Sequence, residues 1–199
     1  MTTIDTYISL NSPWTYLGSE RLAAIARRHG VGVAVKPAKF GDVFANTGGL
    51  PLAKRAPARQ AYRMMELQRW RDHLGLPITL QPKFFPADET AGVRLVIVAG
   101  LEGLDAAALA GEIGRAVWER EENIAEAGVL AAAATRAGLD AAQIRASAPD
   151  DARLDAIWAA NTAEAIGRGV FGAPSYVTAG GEIFWGQDRL EFLDRALAR

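Results

Sequence analysis

From Thr3 to Leu10 the chain alternates, with Ile4, Thr6, Ile8 and Leu10 on one side and Asp5, Tyr7 and Ser9 on the other. Period two with β-branched residues predicts a strand over 3–10. Asn11-Ser12-Pro13 follows and reads as a helix start. Asn or Ser can cap free backbone N–H groups, and proline suits the first helical turn. The helix is expected from about Pro13 to His29, with Gly30 as its stop. Val31, Val33 and Val35 then alternate and predict a second strand ending at Lys36-Pro37. Strand, helix and strand in this order make a βαβ unit, parallel and right-handed.

The middle changes character. Residues 42–56 are rich in Gly, Pro and small polar groups and read as a loop. Met64, Leu67, Trp70 and Leu74 share one face of a helix predicted from Pro57 to Leu74, stopped by Gly75-Leu76-Pro77. Residues 76–87 hold Pro77, Pro82 and Pro86 and read as an irregular extended loop. From 88 to about 166 the chain is alanine-rich without strand alternation, predicting four or five helices broken near Gly103, Gly128, Gly138 and Pro149. Residues 173–185 read as two short strands joined at Ala179-Gly180-Gly181. A last helix is expected from Gln187 to Ala198. The outline is βαβ, a long helical stretch, then ββα.

Composition narrows the chemistry. At 199 residues the chain has room for one large domain, or one domain carrying an insertion. It has no cysteine, which excludes a protein thiol nucleophile, a disulfide relay and a cysteine zinc site. Lys+Arg number 22 against 23 Asp+Glu, so the basic excess of a general nucleic-acid surface is missing. No apolar run reaches membrane-spanning length, and Met1–Asp5 shows no signal-peptide pattern. The expectation is a soluble cytoplasmic protein without nucleic-acid or membrane partners.

Three places can carry chemistry. The turn before the first helix offers unpaired N–H groups, partial positive charge and the Ser12 hydroxyl, which together suit an anion; read alone, an ordinary N-cap is the favoured account. Ala173-Pro174 precedes a predicted strand. A cis bond there would present the backbone of the preceding residue to an extended ligand, and a plain trans proline at a strand start is the alternative. Asp188 stands in the first turn of the last helix, as a cap or as an anion receiving an amine. Both histidines, His29 and His73, sit at helix ends where positive charge is favoured, and read as structural. No metal site is supported. Lys54, Arg55, Arg59 and Arg63 form a basic stretch, either a solvated face or a docking place for a carboxylate.

Taken together, Ser12-Pro13-Trp14-Thr15 after the first strand and Pro174 before the late hairpin match the layout of thioredoxin-like proteins, with Ser12 and Thr15 at their two cysteine positions. The long helical stretch resembles the Dsb-type and kappa-class glutathione transferase branches. More narrowly, the chain resembles 2-hydroxychromene-2-carboxylate isomerases along nearly its whole length. The matching blocks are Ser12–Leu17, Tyr62 with Leu67–Trp70, Pro82–Pro86, Ala116–Trp118, Asn161–Ala165, Gly169–Pro174 and Trp185–Leu190.

That resemblance implies an α/β fold: a thioredoxin-like βαβ–ββα core over 1–41 and 160–199 with an all-helical insertion over 42–159. It implies glutathione as cofactor and a homodimer acting on a small aromatic substrate of aromatic catabolism. By the same resemblance Ser12 is catalytic and favours the glutathione thiolate. Ala173, before Pro174, pairs with the cysteinyl backbone; Asp188 and Arg189 meet the γ-glutamyl end, Asp188 taking the ammonium. Trp14, Lys83 and Phe85 are the expected substrate contacts. Thr47-Gly48-Gly49 departs from the Thr-Gly-Asn of kappa relatives, so no side-chain contact carries over there. The expected activity is glutathione-dependent isomerisation. A kappa-like conjugating transferase and a non-catalytic thioredoxin-like binding module are the alternatives.

Overall fold

A computed structural model of the chain describes residues 2–198. Strand β1 (Thr3–Ile8) pairs in parallel with β2 (Gly32–Pro37), from Thr3 opposite Gly32 to Ile8 opposite Pro37. Strand β3 (Ser175–Val177) runs antiparallel to β1, with Tyr7 opposite Ser175, and β4 (Ile183–Trp185) runs antiparallel to β3. The sheet order is β2-β1-β3-β4. Helix α1 (Pro13–His29) joins β1 to β2. Between β2 and β3 come α2 (Phe40–Thr47), α3 (Pro57–Leu74), α4 (Thr90–Leu101), α5 (Ala106–Trp118), α6 (Ala127–Arg136), α7 (Ala141–Ala146) and α8 (Asp151–Gly167), and α9 (Leu190–Leu197) closes the chain. The mixed α/β layout read from the pattern is the one the chain adopts. No helix among the described residues is long and apolar enough to cross a membrane.

Both faces of β1 are covered. Ile4 packs with Leu22 and Ile25 of α1 and Leu190 and Leu193 of α9. Tyr7 packs with Phe40 and Val43 of α2 and Ala165 of α8. Each such aliphatic side chain, fully buried, contributes roughly 1.5–3 kcal/mol. A larger cluster joins Ile8, Leu10 and Leu17 to α4, α5 and Trp118.

Four boundaries differ from the pattern. Residues 42–56 are not all loop: α2 occupies Phe40–Thr47, and a 3-10 turn spans Leu52–Lys54. Phe40 and Val43 are buried, and that packing outweighs the poor helix propensity of the glycines. Strand β1 ends at Ile8 rather than Leu10, because the chain turns there, with Ser12 N–H donating to Ser9 C=O at 3.1 Å. Gly128 lies inside α6; the break before it is residues 119–126, where Glu121 takes a left-handed φ of 53°. The last helix begins at Leu190, after a 3-10 turn over Gln187–Arg189. The expected stops hold at Gly30 and Gly75, both left-handed with φ of 63°.

Two polar devices fix the frame around β1. The first is an ion network on the sheet: Asp5 meets Lys36 at 3.1 Å and Arg168 at 2.5 Å, and Lys36 meets Glu164 at 2.7 Å. Burial raises the Asp5 carboxyl, but the bonds from Arg168 and Lys36 outweigh it and leave the group below its ordinary value. The second is a clamp. The Asn11 side-chain amide donates to Ala87 C=O at 2.9 Å and accepts from Ala87 N–H at 3.0 Å. Beside it Glu89 accepts from the Ser9 hydroxyl at 2.9 Å and from Asn11 N–H at 3.1 Å. Burial raises the Glu89 carboxyl, partly countered by those bonds. The loop 76–89 is thereby tied to the end of β1.

Two outcomes follow. Asp5→Asn should cost about 1–3 kcal/mol at pH 7, between the values for exposed and buried pairs. A carboxyl held low in the folded state stabilises above its unfolded value and stops doing so as pH falls through the folded one. The deficit measured by urea unfolding should therefore shrink as pH falls from 4 toward 2. Asn11→Ala should cost about 1–3 kcal/mol through its two lost bonds and speed hydrogen exchange at the Ala87 amide, with exchange in α8 unchanged apart from that global loss.

Candidate active site

Ser12 caps α1 with an extended backbone, and its Oγ accepts from Thr15 N–H at 3.2 Å. Such a cap is worth about 1 kcal/mol. The Oγ–H donates to the Ala173 carbonyl at 3.4 Å, across 161 residues of sequence. The first helical turn then has little left to give. Pro13 has no N–H, Thr15 N–H is taken by Ser12 Oγ, and Tyr16 N–H by Ser12 C=O at 3.1 Å. Among the described residues the Trp14 N–H has no acceptor, and it stands at the positive end of a 17-residue helix.

The Ala173-Pro174 peptide is cis. The Ala173 N–H has no acceptor among the described residues, while Pro174 C=O receives Gly186 N–H at 2.9 Å. Ser175, completely buried, donates its hydroxyl to Gly172 C=O at 2.7 Å. A Cβ on Gly172 would run into the Trp185 indole, so glycine there lets that ring lie against the turn. Trp185 and Phe171, both substantially exposed, pack at a tilt of 59° with ring centres 4.7 Å apart beside this backbone.

Asp188 and Arg189 follow on the 3-10 turn after Gly186. They pair at 2.9 Å with both side chains about half exposed. The half-buried Arg21 of α1 lies within electrostatic reach of Asp188.

Thr15 occupies the second cysteine-equivalent position and does not duplicate Ser12. Its hydroxyl is buried without a partner and lines an apolar cavity of about 40 Å³ behind the turn, with Thr6, Ser19, Val35, Gly111 and Pro174. Ser12 is therefore the hydroxyl at the open end of the helix.

The expected substrate contacts divide. Trp14 is half-buried and packs against the same cluster as Phe85. Phe85 lies 4.9 Å from the Trp118 ring, and its segment is anchored to the Ser12 turn through Ala87 and Asn11. Lys83 stands apart and exposed: its ammonium lies 5.0 Å from the Phe84 ring centre, and its N–H donates to Glu121 at 3.1 Å. His29 bonds Asp194 at 2.7 Å, and His73 packs edge-on against Trp70, away from Ser12.

Three further contributors were not singled out by the pattern. Asn11 and Glu89 hold the turn. Tyr16 donates its hydroxyl to Glu119 at 2.8 Å and pins α1 to the end of α5; burial, with Glu119 adding, raises that hydroxyl above the ordinary tyrosine value. The sequence signal for Asn11 was its place beside Ser12. Glu89 had none, being 78 residues from the amide that it receives.

The site can therefore hold an extended ligand by the Ala173 backbone and an anion by Ser12 and Trp14 N–H. Comparisons with known proteins cover nearly the whole chain. The 2-hydroxychromene-2-carboxylate isomerase of Pseudomonas putida is 29% identical over 203 residues, covering 98% of this chain and 94% of that protein. Glutathione S-transferase kappa 1 of Homo sapiens is 25% identical over 205 residues, covering 98% and 90%. The solved structure of a 2-hydroxychromene-2-carboxylate isomerase superposes with a TM-score of 0.81 at 26% identity, over 99% of this chain and 95% of that one. The family model of DsbA-like thioredoxin domains matches residues 3–198, and the chain belongs to that family.

Proposed function

We propose that this protein is a glutathione-dependent isomerase of an unsaturated aromatic-degradation intermediate, of the 2-hydroxychromene-2-carboxylate type. One observation carries the reading: at a helix N-terminus, in a chain without any cysteine, the Ser12 hydroxyl meets the Ala173 carbonyl, and the Trp14 and Ala173 amides have no acceptor among the described residues. The donor set fits a thiol tripeptide. Two amides and a hydroxyl suit a sulfur anion beside a peptide backbone, and Asp188 suits an ammonium.

When bound, glutathione supplies a thiolate that can add to an electrophilic carbon and leave again after a bond has rotated. The residues of this chain prepare that chemistry. Thr15 N–H fixes the Ser12 oxygen at 3.2 Å. The hydroxyl proton rests on a contact of 3.4 Å, longer than an ordinary O–H···O bond. Re-aiming it toward a sulfur therefore costs little. With the Trp14 N–H it lowers the proton affinity of a thiol whose ordinary pKa is about 8.5, each unit corresponding to about 1.4 kcal/mol. Ala173 N–H holds the peptide backbone in register, and Asp188 orients its amino end. Trp14 and Phe85 supply apolar surface for a planar substrate. Lys83 is proposed as a substrate contact at the outer edge of the loop.

The kappa-class relative supports a second reading, a transferase that releases the adduct. Mixing enzyme, glutathione and 2-hydroxychromene-2-carboxylate separates the two, since an isomerase leaves total glutathione unchanged and a transferase consumes it. Ser12→Ala should lower kcat/KM by tenfold or more and raise the pKa of bound glutathione, read from thiolate absorbance, by about one unit. Undiminished activity in that variant would remove Ser12 from the mechanism.

A further inference from the structure

Between Asp42 and Glu66 the chain has no acidic residue, yet it carries Lys54, Arg55, Arg59 and Arg63. Other cations have partners: Arg94 has Asp151 and Asp155, Arg120 has Glu112 and Glu122, and Arg168 has Asp5 and Glu164. Among the described residues none of the four in this stretch forms an ion pair.

Arg63 differs from Lys54 and Arg59 because it is not on the open surface. It is half-buried, and its guanidinium lies 5.5 Å from the Phe85 ring centre and 5.9 Å from that of Trp118. Its one side-chain hydrogen bond among the described residues goes to the Met64 sulfur, at 3.8 Å. Burial, with the nearby charge of Arg55 adding, pulls its pKa down to about 10, so it is still a cation at neutral pH. A cation taken partly out of water, with aromatic faces and a thioether beside it and no carboxylate partner among the described residues, has donors open to an arriving acceptor.

Its place links it to the site. Phe85 stands two residues before Ala87, so their Cα atoms are within about 7 Å, and Ala87 is clamped to Asn11, the neighbour of Ser12. We propose that Arg63, with the Phe85 ring, is the specificity element for an electrophilic substrate bearing a carboxylate on a planar unsaturated body. The proposal rests on the thiol-recruiting reading of the site. The guanidinium fork receives a carboxylate through two parallel bonds, and the ring takes the flat body. The glycyl carboxylate of a tripeptide carries the same charge but makes no use of the aromatic face, so the electrophile is the better match. Lys54 and Arg59 add a positive field without a shaped receptor.

The test uses trans-cinnamate and its neutral isostere cinnamamide, titrated calorimetrically into the full-length protein without glutathione. The wild type should bind cinnamate at least tenfold tighter than cinnamamide. Arg63→Met should erase that preference, Arg63→Lys should keep part of it, and Arg59→Met should change it by no more than about twofold. Circular dichroism checks the fold of each variant, and Arg63→Lys keeps the test decisive if Arg63→Met fails to fold. No preference in the wild type, or full preference in a folded Arg63→Met, overturns the proposal. Glutathione is titrated separately into the wild type and both Arg63 variants. Its Kd should stay within twofold of wild type in the variants. A tenfold weakening there would assign Arg63 to the tripeptide carboxylate and overturn the proposal. Absence of glutathione binding in the wild type would instead sink the thiol-recruiting reading, while the cinnamate comparison would still judge Arg63.

Discussion

The register between β1 and β3 is the constraint on which the rest depends. Tyr7 opposite Ser175 places the end of β1 beside the start of β3. The chain leaves β1 into the Ser12 turn and reaches β3 through Ala173-Pro174, so two segments 161 residues apart meet at one end of the sheet, between its two central strands. A shift of one residue would turn Ile4 and Tyr7 to the wrong faces, and both are completely buried on opposite sides. Hydrophobic burial on two faces therefore sets the position of a polar contact that contributes little energy itself.

The helical excursion does more than cover the sheet. Its loop returns to the same turn and is fixed there by Asn11, whose amide treats Ala87 as a neighbouring strand would, donating and accepting at once. Glu89 completes the junction from the other side. The proposed site thus has two walls. One, from β3 and the turn after β4, is built by sheet hydrogen bonds. The other, Phe85 over Trp118 with Arg63, is built by packing in the excursion and connected through one clamp.

How much of this the sequence disclosed follows from the physics of each part. Strands β1 and β2 and helix α1 were legible because alternation and capping are local signals. Ser12, Pro174 and Asp188 enter the proposed site through the joint pattern of motifs. Helix α2 was hidden because Gly41, Gly48 and Gly49 depress local propensity, while the burial of Phe40 and Val43 under β1 is a tertiary fact. Asn11 and Glu89 were unread as a clamp because a bond across 76 or 78 residues leaves no periodic trace. Arg63 looked like one charge in a basic run. Its isolation from carboxylates is a property of the folded surroundings, and no pattern of residue types could state it.

A hydroxyl at this position invites comparison with a serine nucleophile, and the geometry argues against that role. A serine attacks when a base takes its proton. The Ser12 oxygen accepts from a backbone N–H, and its proton points to the Ala173 carbonyl, which takes no proton at neutral pH. Both histidines are engaged elsewhere, one with Asp194 and one with Trp70. The carboxylate fixed to the turn, Glu89, bonds Ser9 and Asn11, and burial holds its pKa up without placing it on Ser12. What remains for Ser12 is to donate. A donor at a helix N-terminus is useful to an anion that arrives already nucleophilic, and sulfur meets that requirement near neutral pH where oxygen does not. The absence of cysteine and the engagement of these bases elsewhere thus support the same proposal, a site arranged around a thiol that the chain does not itself contain.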